Sequence, residues 1–242
     1  MAPKRSYADG CATAHALDLI GERWALLVVR ELLLGPKRFT DLRAGLPGIG
    51  PNVLAQRLRE LNNAGVLHRR ELSWPTGVHI YELTDWGHGL DGVIFALGRW
   101  GLRSPTLPPD APVSADGHVL SLRLLFDRSA AAGLVLTLGL HLGQDRFRLE
   151  VVDGTLALAR GDTENPDAAI HTTVPTFDAL LRDGGHFAEA LRLGSLTVRG
   201  DLRTAALFPI LFSGRDTRPT GPPPTPASFP PEAVLPAPRR GS

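Results

Sequence analysis

Residues 39–83 constrain the fold of this chain more than any other segment. They read as a short amphipathic helix, a Gly/Pro turn, a longer amphipathic helix and two short strands around a Trp-Pro-Thr-Gly tip. In the longer helix, Leu54, Leu58 and Leu61 recur at i, i+4 and i+7, the spacing of one buried stripe. This order of elements predicts a helix-turn-helix followed by a β-wing.

The opposite stripe of the longer helix is polar. It carries Asn, Gln and Arg, whose side chains make bidentate hydrogen bonds to adenine or guanine edges, so the helix is predicted to read a DNA major groove. An ordinary solvated face is the alternative, and the wing arginines are either phosphate contacts or only solubilising. The predicted DNA contacts are Lys37, Arg38, Thr40, Asn52, Gln56, Arg57, Arg59, Asn63, Arg69, Arg70 and Thr76.

The segment around this unit resembles a known family. Residues 11–101 contain CATAHALDLIGERW, RELLLGPKRF, QRLREL, AGVLHRR and YELTDWGHGL, and they resemble the HxlR-type winged-helix transcriptional regulators of bacteria. The resemblance implies a homodimeric DNA-binding repressor or activator. It also implies a possible redox-sensor role for Cys11, because a cysteine before the first helix has that role in some members. The alternative for Cys11 is a small residue buried at a dimer interface.

Composition is consistent with two domains in a chain of 242 residues. Residues 1–103 contain 13 Lys and Arg against 10 Asp and Glu, whereas residues 118–214 contain 9 against 11. The more basic part is thus the part with the helix-turn-helix, as phosphate binding requires. There is a single cysteine, no apolar run as long as a membrane span, and no signal peptide, so we expect a cytoplasmic protein that does not bind membranes.

Prolines mark the predicted domain boundaries. The DNA-binding domain is placed at 1–103, a proline-stiffened linker at 104–117 and a second domain at 118–214. The tail, 215–242, holds 9 of the 21 prolines and too few apolar residues for a core, so we predict that it is disordered.

The second domain has the alternation of β-strands. Five leucines alternate with other residues over 134–142, which predicts a strand with one apolar face. Further strands are predicted at 120–126, 147–151, 156–158 and 168–173, with a hairpin turn at Asp153-Gly154. Helices are predicted at 175–183, 186–193 and 202–211, and in the first domain at 12–20, 22–34 and 84–100. The predicted fold class is α+β.

The second domain, at about 118–213, resembles a sterol-carrier-type (SCP2-like) domain. The segment that carries the resemblance is DAAIHTTVPTFDALLRDGGHFAEALRLGSLTVRGDLRTAALFPIL. The resemblance implies a sheet covered by helices on one face and enclosing a hydrophobic tunnel; a plain α+β core without a cavity is the alternative. The predicted ligand-binding residues are Leu124, Leu136, Leu138, Leu140, Phe147, Leu149, Phe177, Leu180, Phe187 and Leu191.

Catalytic and metal-binding motifs are missing from the sequence. There is no HExxH, GxSxG, P-loop or GxGxxG pattern, so we expect no enzyme activity, no metal and no cofactor. The first hypothesis is a dimeric regulator that binds double-stranded DNA and is controlled by an apolar small molecule in the second domain. A lipid or hydrophobic-ligand carrier whose winged helix serves for dimerisation is the second. An enzyme without a recognisable motif is the third.

Overall fold

Two lobes, each built on its own sheet and hydrophobic core, make up the described part of the chain. The computed structural model describes residues 6–72, 77–108, 111–182 and 186–213. The first lobe contains α1 (Ala12–Ile20), α2 (Ala25–Leu32), β1 (Lys37–Arg38), α3 (Phe39–Gly45), α4 (Pro51–Asn63), β2 (Leu67–Glu71), β3 (His79–Leu83), α5 (Asp85–His88) and α6 (Asp91–Gly101). The second contains α7 (Ala115–Leu125), β4 (Val135–Leu142), β5 (Asp145–Val152), β6 (Thr155–Arg160), β7 (Ala168–Thr172), α8 (Val174–Arg182), α9 (Phe187–Arg192), β8 (Leu196–Gly200), α10 (Leu202–Ala205) and α11 (Phe208–Leu211).

The predicted helix-turn-helix and wing are confirmed as α3, α4 and the β2–β3 hairpin. Gly50 is the N-cap of α4 and Pro51 its first residue, a favoured pair because proline has no amide to leave unsatisfied there. The helix predicted at 22–34 is shorter, since Trp24 takes a left-handed backbone (φ 77°) and α2 begins only at Ala25. The wing tip at 73–76 lies outside the described residues.

The wing is part of a three-stranded sheet of order β1-β3-β2. Ile80 of β3 faces Arg38 of β1 on one side and Arg70 of β2 on the other. Directly paired residues of antiparallel strands point to the same face, so Arg38 and Arg70 share one face of this sheet.

The helix predicted at 84–100 is in fact two helices, α5 and α6, separated at Gly89 and Leu90. Thr84 caps α5 by accepting a hydrogen bond from the amide of Gly87 at 3.0 Å. Gly87 is buried against the chain entering β2, where a Cβ would lie 1.9 Å from the carbonyl oxygen of Val66. A glycine is required at this close approach, and α5 ends at His88, before α6 begins at Asp91.

The second lobe has a five-stranded sheet of order β6-β5-β4-β7-β8. β4 pairs parallel with β7, and the other pairs are antiparallel. The predicted hairpin turn is confirmed: Asp153 (φ 43°) and Gly154 (φ 73°) join β5 to β6, with the positive φ values that a two-residue turn requires. Helices cover the leucine-bearing face of β4 and close the core.

One predicted strand is wrong. Residues 120–126 lie in and after the helix α7, whose N-cap is Ser114, so the last three residues of the predicted linker belong to this helix. The alternating leucines imitate a strand, but the residues that become buried, Ala115, Val119 and Leu122, have helical spacing.

The helix predicted at 202–211 is divided into α10 and α11. Pro209 stands in the first turn of α11 and has no amide to donate to the preceding turn, which explains the interruption. The predicted disordered tail lies outside the described residues. Among the described helices, none has the length and apolar character needed to cross a membrane.

Candidate nucleic-acid interface

The helix α4 presents a polar stripe to solvent because its opposite stripe is buried. Leu54, Leu58 and Leu61 are at most 2% exposed and pack in the core of the first lobe. The residues of the predicted reading stripe are all exposed: Asn52, Gln56, Arg59 and Asn63. From Asn52 to Asn63 there are 11 residue steps along the helix, or roughly 16 Å at 1.5 Å per step, which is several base-pair steps of 3.4 Å. The stripe can therefore contact several adjacent base pairs.

Arg57 does not belong to this surface, and its prediction as a DNA contact is wrong. Its side chain is 11% exposed and forms ion pairs with Glu60, one turn further along α4, and with Glu22 at 3.5 Å. Arg57 therefore joins the recognition helix to the turn between α1 and α2. Glu60 also accepts a hydrogen bond from Gln56 at 2.9 Å, which gives the exposed Gln56 side chain a defined position.

Lys37 is also not a DNA contact, because it is 4% exposed. Its Nζ lies 2.7 Å from Oε2 of Glu31 and 2.7 Å from Oδ2 of Asp116, and both carboxylates are buried. Glu31 belongs to α2 and Asp116 to α7. Lys37 is therefore the centre of a salt bridge between the two lobes.

Further charges complete this contact, which we call the interlobe ion cluster: Arg30, Glu31, Lys37, Asp116, Asp145 and Arg160. Arg160 of β6 pairs with Asp116 and, at 2.8 Å, with Asp145. Burial opposes its charge, but hydrogen bonds and the negative charges of these two carboxylates prevail and raise the pKa of Arg160. Its backbone amide donates to the carbonyl of Leu34 at 2.6 Å. Sequence analysis missed the cluster, since its members lie up to about 130 positions apart.

The flanks of α4 supply cations in the places predicted for phosphate contacts. Arg38, at the start of α3, and Arg69 and Arg70, on the wing, are exposed. Arg70 also pairs with Glu82 at 3.2 Å, and the exposed Thr40 donates to Asp41 at 3.2 Å. Arg43 on the solvent side of α3 is a cation that sequence analysis missed. Thr76 lies outside the described residues.

Cys11 is the exposed N-cap of α1. The backbone amides of Thr13 and Ala14, at the start of α1, favour the thiolate and lower the pKa of the thiol. The side chain is open to solvent in the protomer, and burial of Cys11 at a dimer interface stays the alternative prediction.

The predicted ligand-binding residues of the second lobe lie mostly in a filled core. Seven of them are at most 6% exposed: Leu136, Leu138, Leu140, Phe147, Leu149, Phe177 and Phe187. Leu180 and Phe187 border a cleft of about 20 Å³, which is room for about one water molecule, and Leu191 packs against the core. Leu124 faces a different groove, between the lobes. Among the described residues the core is thus packed where a tunnel was predicted.

Comparison with known proteins gives the first lobe a family. The model of the HxlR-like helix-turn-helix family matches residues 19–106. An HTH-type transcriptional regulator of Mycobacterium tuberculosis is 36% identical over 110 residues, 46% of this chain and 69% of that protein. The reduced form of the regulator YodB from Bacillus subtilis matches with a TM-score of 0.36 and 32% identity, over 40% of this chain and 97% of that chain.

Another solved structure matches with the same TM-score, but this chain covers only a small part of that protein. The sec-alkylsulfatase Pisa1 from Pseudomonas sp. matches with a TM-score of 0.36 and 21% identity over 40% of this chain, but this chain spans only 15% of that enzyme. The family match, the identity to the mycobacterial regulator and the exposed reading stripe on α4 agree with one another. This chain belongs to the HxlR-like helix-turn-helix family of transcriptional regulators.

Proposed function

We propose that this protein is a homodimeric transcriptional regulator that binds a specific double-stranded DNA operator through α4. The observation that carries the proposal is the exposed stripe of Asn52, Gln56, Arg59 and Asn63 on a helix whose other side is buried. Side chains of these types read base edges, whereas exposed arginines beside them bind phosphates.

Operator selection followed by affinity measurements tests this proposal. The full chain is used to select duplexes from a random pool, and the enriched site is measured with the wild type, Gln56→Ala and Arg59→Ala. Each substitution removes base contacts and should cost about 1–3 kcal/mol on the selected site, with a smaller cost on unrelated DNA. Arg128→Ala, which removes an exposed arginine of the second lobe, is the matched control and should change neither affinity.

Two results would contradict the proposal. One is the failure of any sequence to be enriched. The other is an unchanged affinity of both α4 variants for the enriched site, which would mean that another surface reads the DNA.

Dimerisation is supported by an apolar row on α6. Val93, Leu97 and Trp100 recur at i, i+4 and i+7 and are 48%, 48% and 73% exposed. No residue of α6 is buried in a single protomer. A row of this kind is typical of a helix that packs against a second copy. Light scattering should give a dimer for the wild type and a folded monomer for Leu97→Glu; a monomeric wild type would contradict the proposal.

Regulation is proposed to act through the second lobe, which we take to be an SCP2-like module. Its five-stranded sheet with helices on one face supports this assignment. The lobe contacts α2 and β1 through the interlobe ion cluster, and α2 packs directly on α4. A small apolar molecule that favours one arrangement of the lobes would change operator affinity through this contact.

A second input is proposed at Cys11. Its exposure and lowered pKa support reaction of the thiolate with oxidants. Diamide treatment should reduce operator binding by the wild type and leave Cys11→Ser unaffected, with a crosslinked dimer on non-reducing electrophoresis. Equal sensitivity of the two proteins would refute a sensor role for this residue.

A further inference from the structure

A groove of about 130 Å³ lies where α2, α6 and α7 meet. Its apolar lining is provided by Leu33 at the C-cap of α2, Ile94 and Phe95 of α6, and Leu120 and Leu124 of α7. The two lobes therefore build its walls jointly. An engineered apolar cavity of 150 Å³ in another protein takes up benzene, so this groove is of the size that holds a single six-membered ring.

One polar group at the groove lacks a partner. Arg30 contributes to the lining, and its Nε is buried with no hydrogen-bond partner among the described residues. The Nη2 of the same guanidinium already has a partner, because it donates a hydrogen bond to Glu31 at 2.8 Å. Leaving a donor of a charged group unsatisfied is costly, and an acceptor on a bound molecule would remove that cost.

The surrounding charges are balanced. The interlobe ion cluster contains three cations and three carboxylates, and the other charged pair at the groove, Arg123 with Asp91, is also neutral. An additional charge on a ligand would lose its hydration without gaining a free counter-ion. The groove therefore suits an uncharged molecule.

We propose that this groove binds a neutral monocyclic compound, such as a phenol-sized aromatic molecule, whose one oxygen accepts a hydrogen bond from Arg30. Such a ligand contacts both lobes at once, so its binding stabilises the arrangement in which the lobes are docked. The regulatory consequence rests on the proposed function, while the binding itself does not.

The groove is distinct from the proposed dimer surface. At 100° per residue, the direction midway among Ile94, Phe95 and Gly98 lies roughly 140° around α6 from the middle of the row of Val93, Leu97 and Trp100. A second copy of the chain on the apolar row would thus leave the groove open.

Binding of phenol to the full-length protein, measured by calorimetry and ligand-observed NMR, tests the inference. We expect a dissociation constant of about 1 mM or tighter, consistent with seven non-hydrogen atoms. Toluene has the same shape without the acceptor and should bind about two- to tenfold more weakly. Benzoate, which brings a charge, should also bind more weakly than phenol.

Filling the groove from either wall should weaken phenol binding at least about tenfold. Gly98→Leu acts from α6, where an added side chain meets open space, and Leu124→Trp acts from α7. Gly92→Leu is the matched control, because Gly92 also faces open space on α6 but does not border the groove. Circular dichroism and light scattering of each variant establish that fold and oligomeric state are retained.

The inference is overturned if phenol does not bind, or if Gly98→Leu and Leu124→Trp both bind it as the wild type does. Operator affinity is measured in the same samples. Phenol binding without any specific DNA binding would refute the proposed function and leave the groove assignment standing, and the reverse result would refute only the groove.

Discussion

Replacing Lys37 by Met should destabilise the protein strongly although the residue lies next to the DNA-binding helices. The substitution keeps most of the apolar stem and removes the ammonium group between two buried carboxylates, Glu31 and Asp116. Removing one partner of a buried ion pair costs about 3–5 kcal/mol. Glu31 keeps Arg30, and Asp116 keeps Arg160, so we expect the lower end, about 3 kcal/mol.

Urea unfolding followed by two probes measures this effect lobe by lobe. All four tryptophans lie in the first 100 residues, so their fluorescence reports the first lobe. Far-UV circular dichroism reports both lobes. In Lys37→Met we expect a lower midpoint and a fluorescence transition that precedes the loss of the sheet, because the contact that couples the lobes is weakened. Arg38→Met, an exposed neighbour on the same strand, is the control and should stay within about 0.5 kcal/mol of the wild type.

The opposite pattern would refute this reasoning. If Lys37→Met unfolds like the wild type and loses operator affinity, the lysine reaches DNA in solution and the lobes are not joined through it. If Arg38→Met is the destabilised variant, the assignment of buried and exposed positions on β1 is wrong.

Three further outcomes are expected. Arg70→Ala should weaken DNA binding on all sequences and reduce the salt slope by about one, measured by titrations at several salt concentrations. The pKa values of His141 and His171 lie below 6.5, mainly because both side chains are partly buried. The positive charge of Arg199 lowers the pKa of His171 further, and His171 does the same for His141. As the pH falls, these histidines are protonated in the unfolded state before they are protonated in the folded state. The free energy of unfolding is therefore full above pH 6.5 and declines below it. Urea unfolding at several pH values should show a smaller decline for His171→Gln than for the wild type. Leu138→Trp, at 1% exposure, should destabilise the second lobe by about 1–3 kcal/mol in the same assay.

The reading helix is predictable from the sequence because its signal is local. Burial of Leu54 and exposure of Gln56 and Arg59 follow from the helical period alone, and Gly50-Pro51 marks the start of the helix. The same holds for the turn at Asp153-Gly154, whose conformation depends on two adjacent residues.

Predictions failed where a distant partner decides. Lys37 and Arg38 are adjacent basic residues that the sequence alone predicts equally as DNA contacts. The buried carboxylates of Glu31 and Asp116, the second of them 79 positions away, pair with Lys37 and leave Arg38 exposed. The side chain of Arg57 is likewise held away from the exposed stripe of α4 by an ion pair with Glu22, 35 positions earlier in the chain. In α7, leucines at alternating positions gave a strand pattern, whereas contact with the first lobe and the sheet selected a helix. Tertiary contacts override local periodicity in each case.

The position of α2 gives the two lobes a physical means of communication. This helix packs on α4 with one part of its surface and supplies Glu31 to the interlobe ion cluster. It also lines the groove with Arg30 and, at its C-cap, with Leu33. A molecule bound in the groove and an operator bound to α4 would therefore act on the same helix. Such a ligand changes operator affinity only to the extent that it binds the DNA-bound and free arrangements of α2 differently, and the operator must change the ligand's affinity by the same factor. Reciprocity of this kind distinguishes coupling through α2 from two independent binding events.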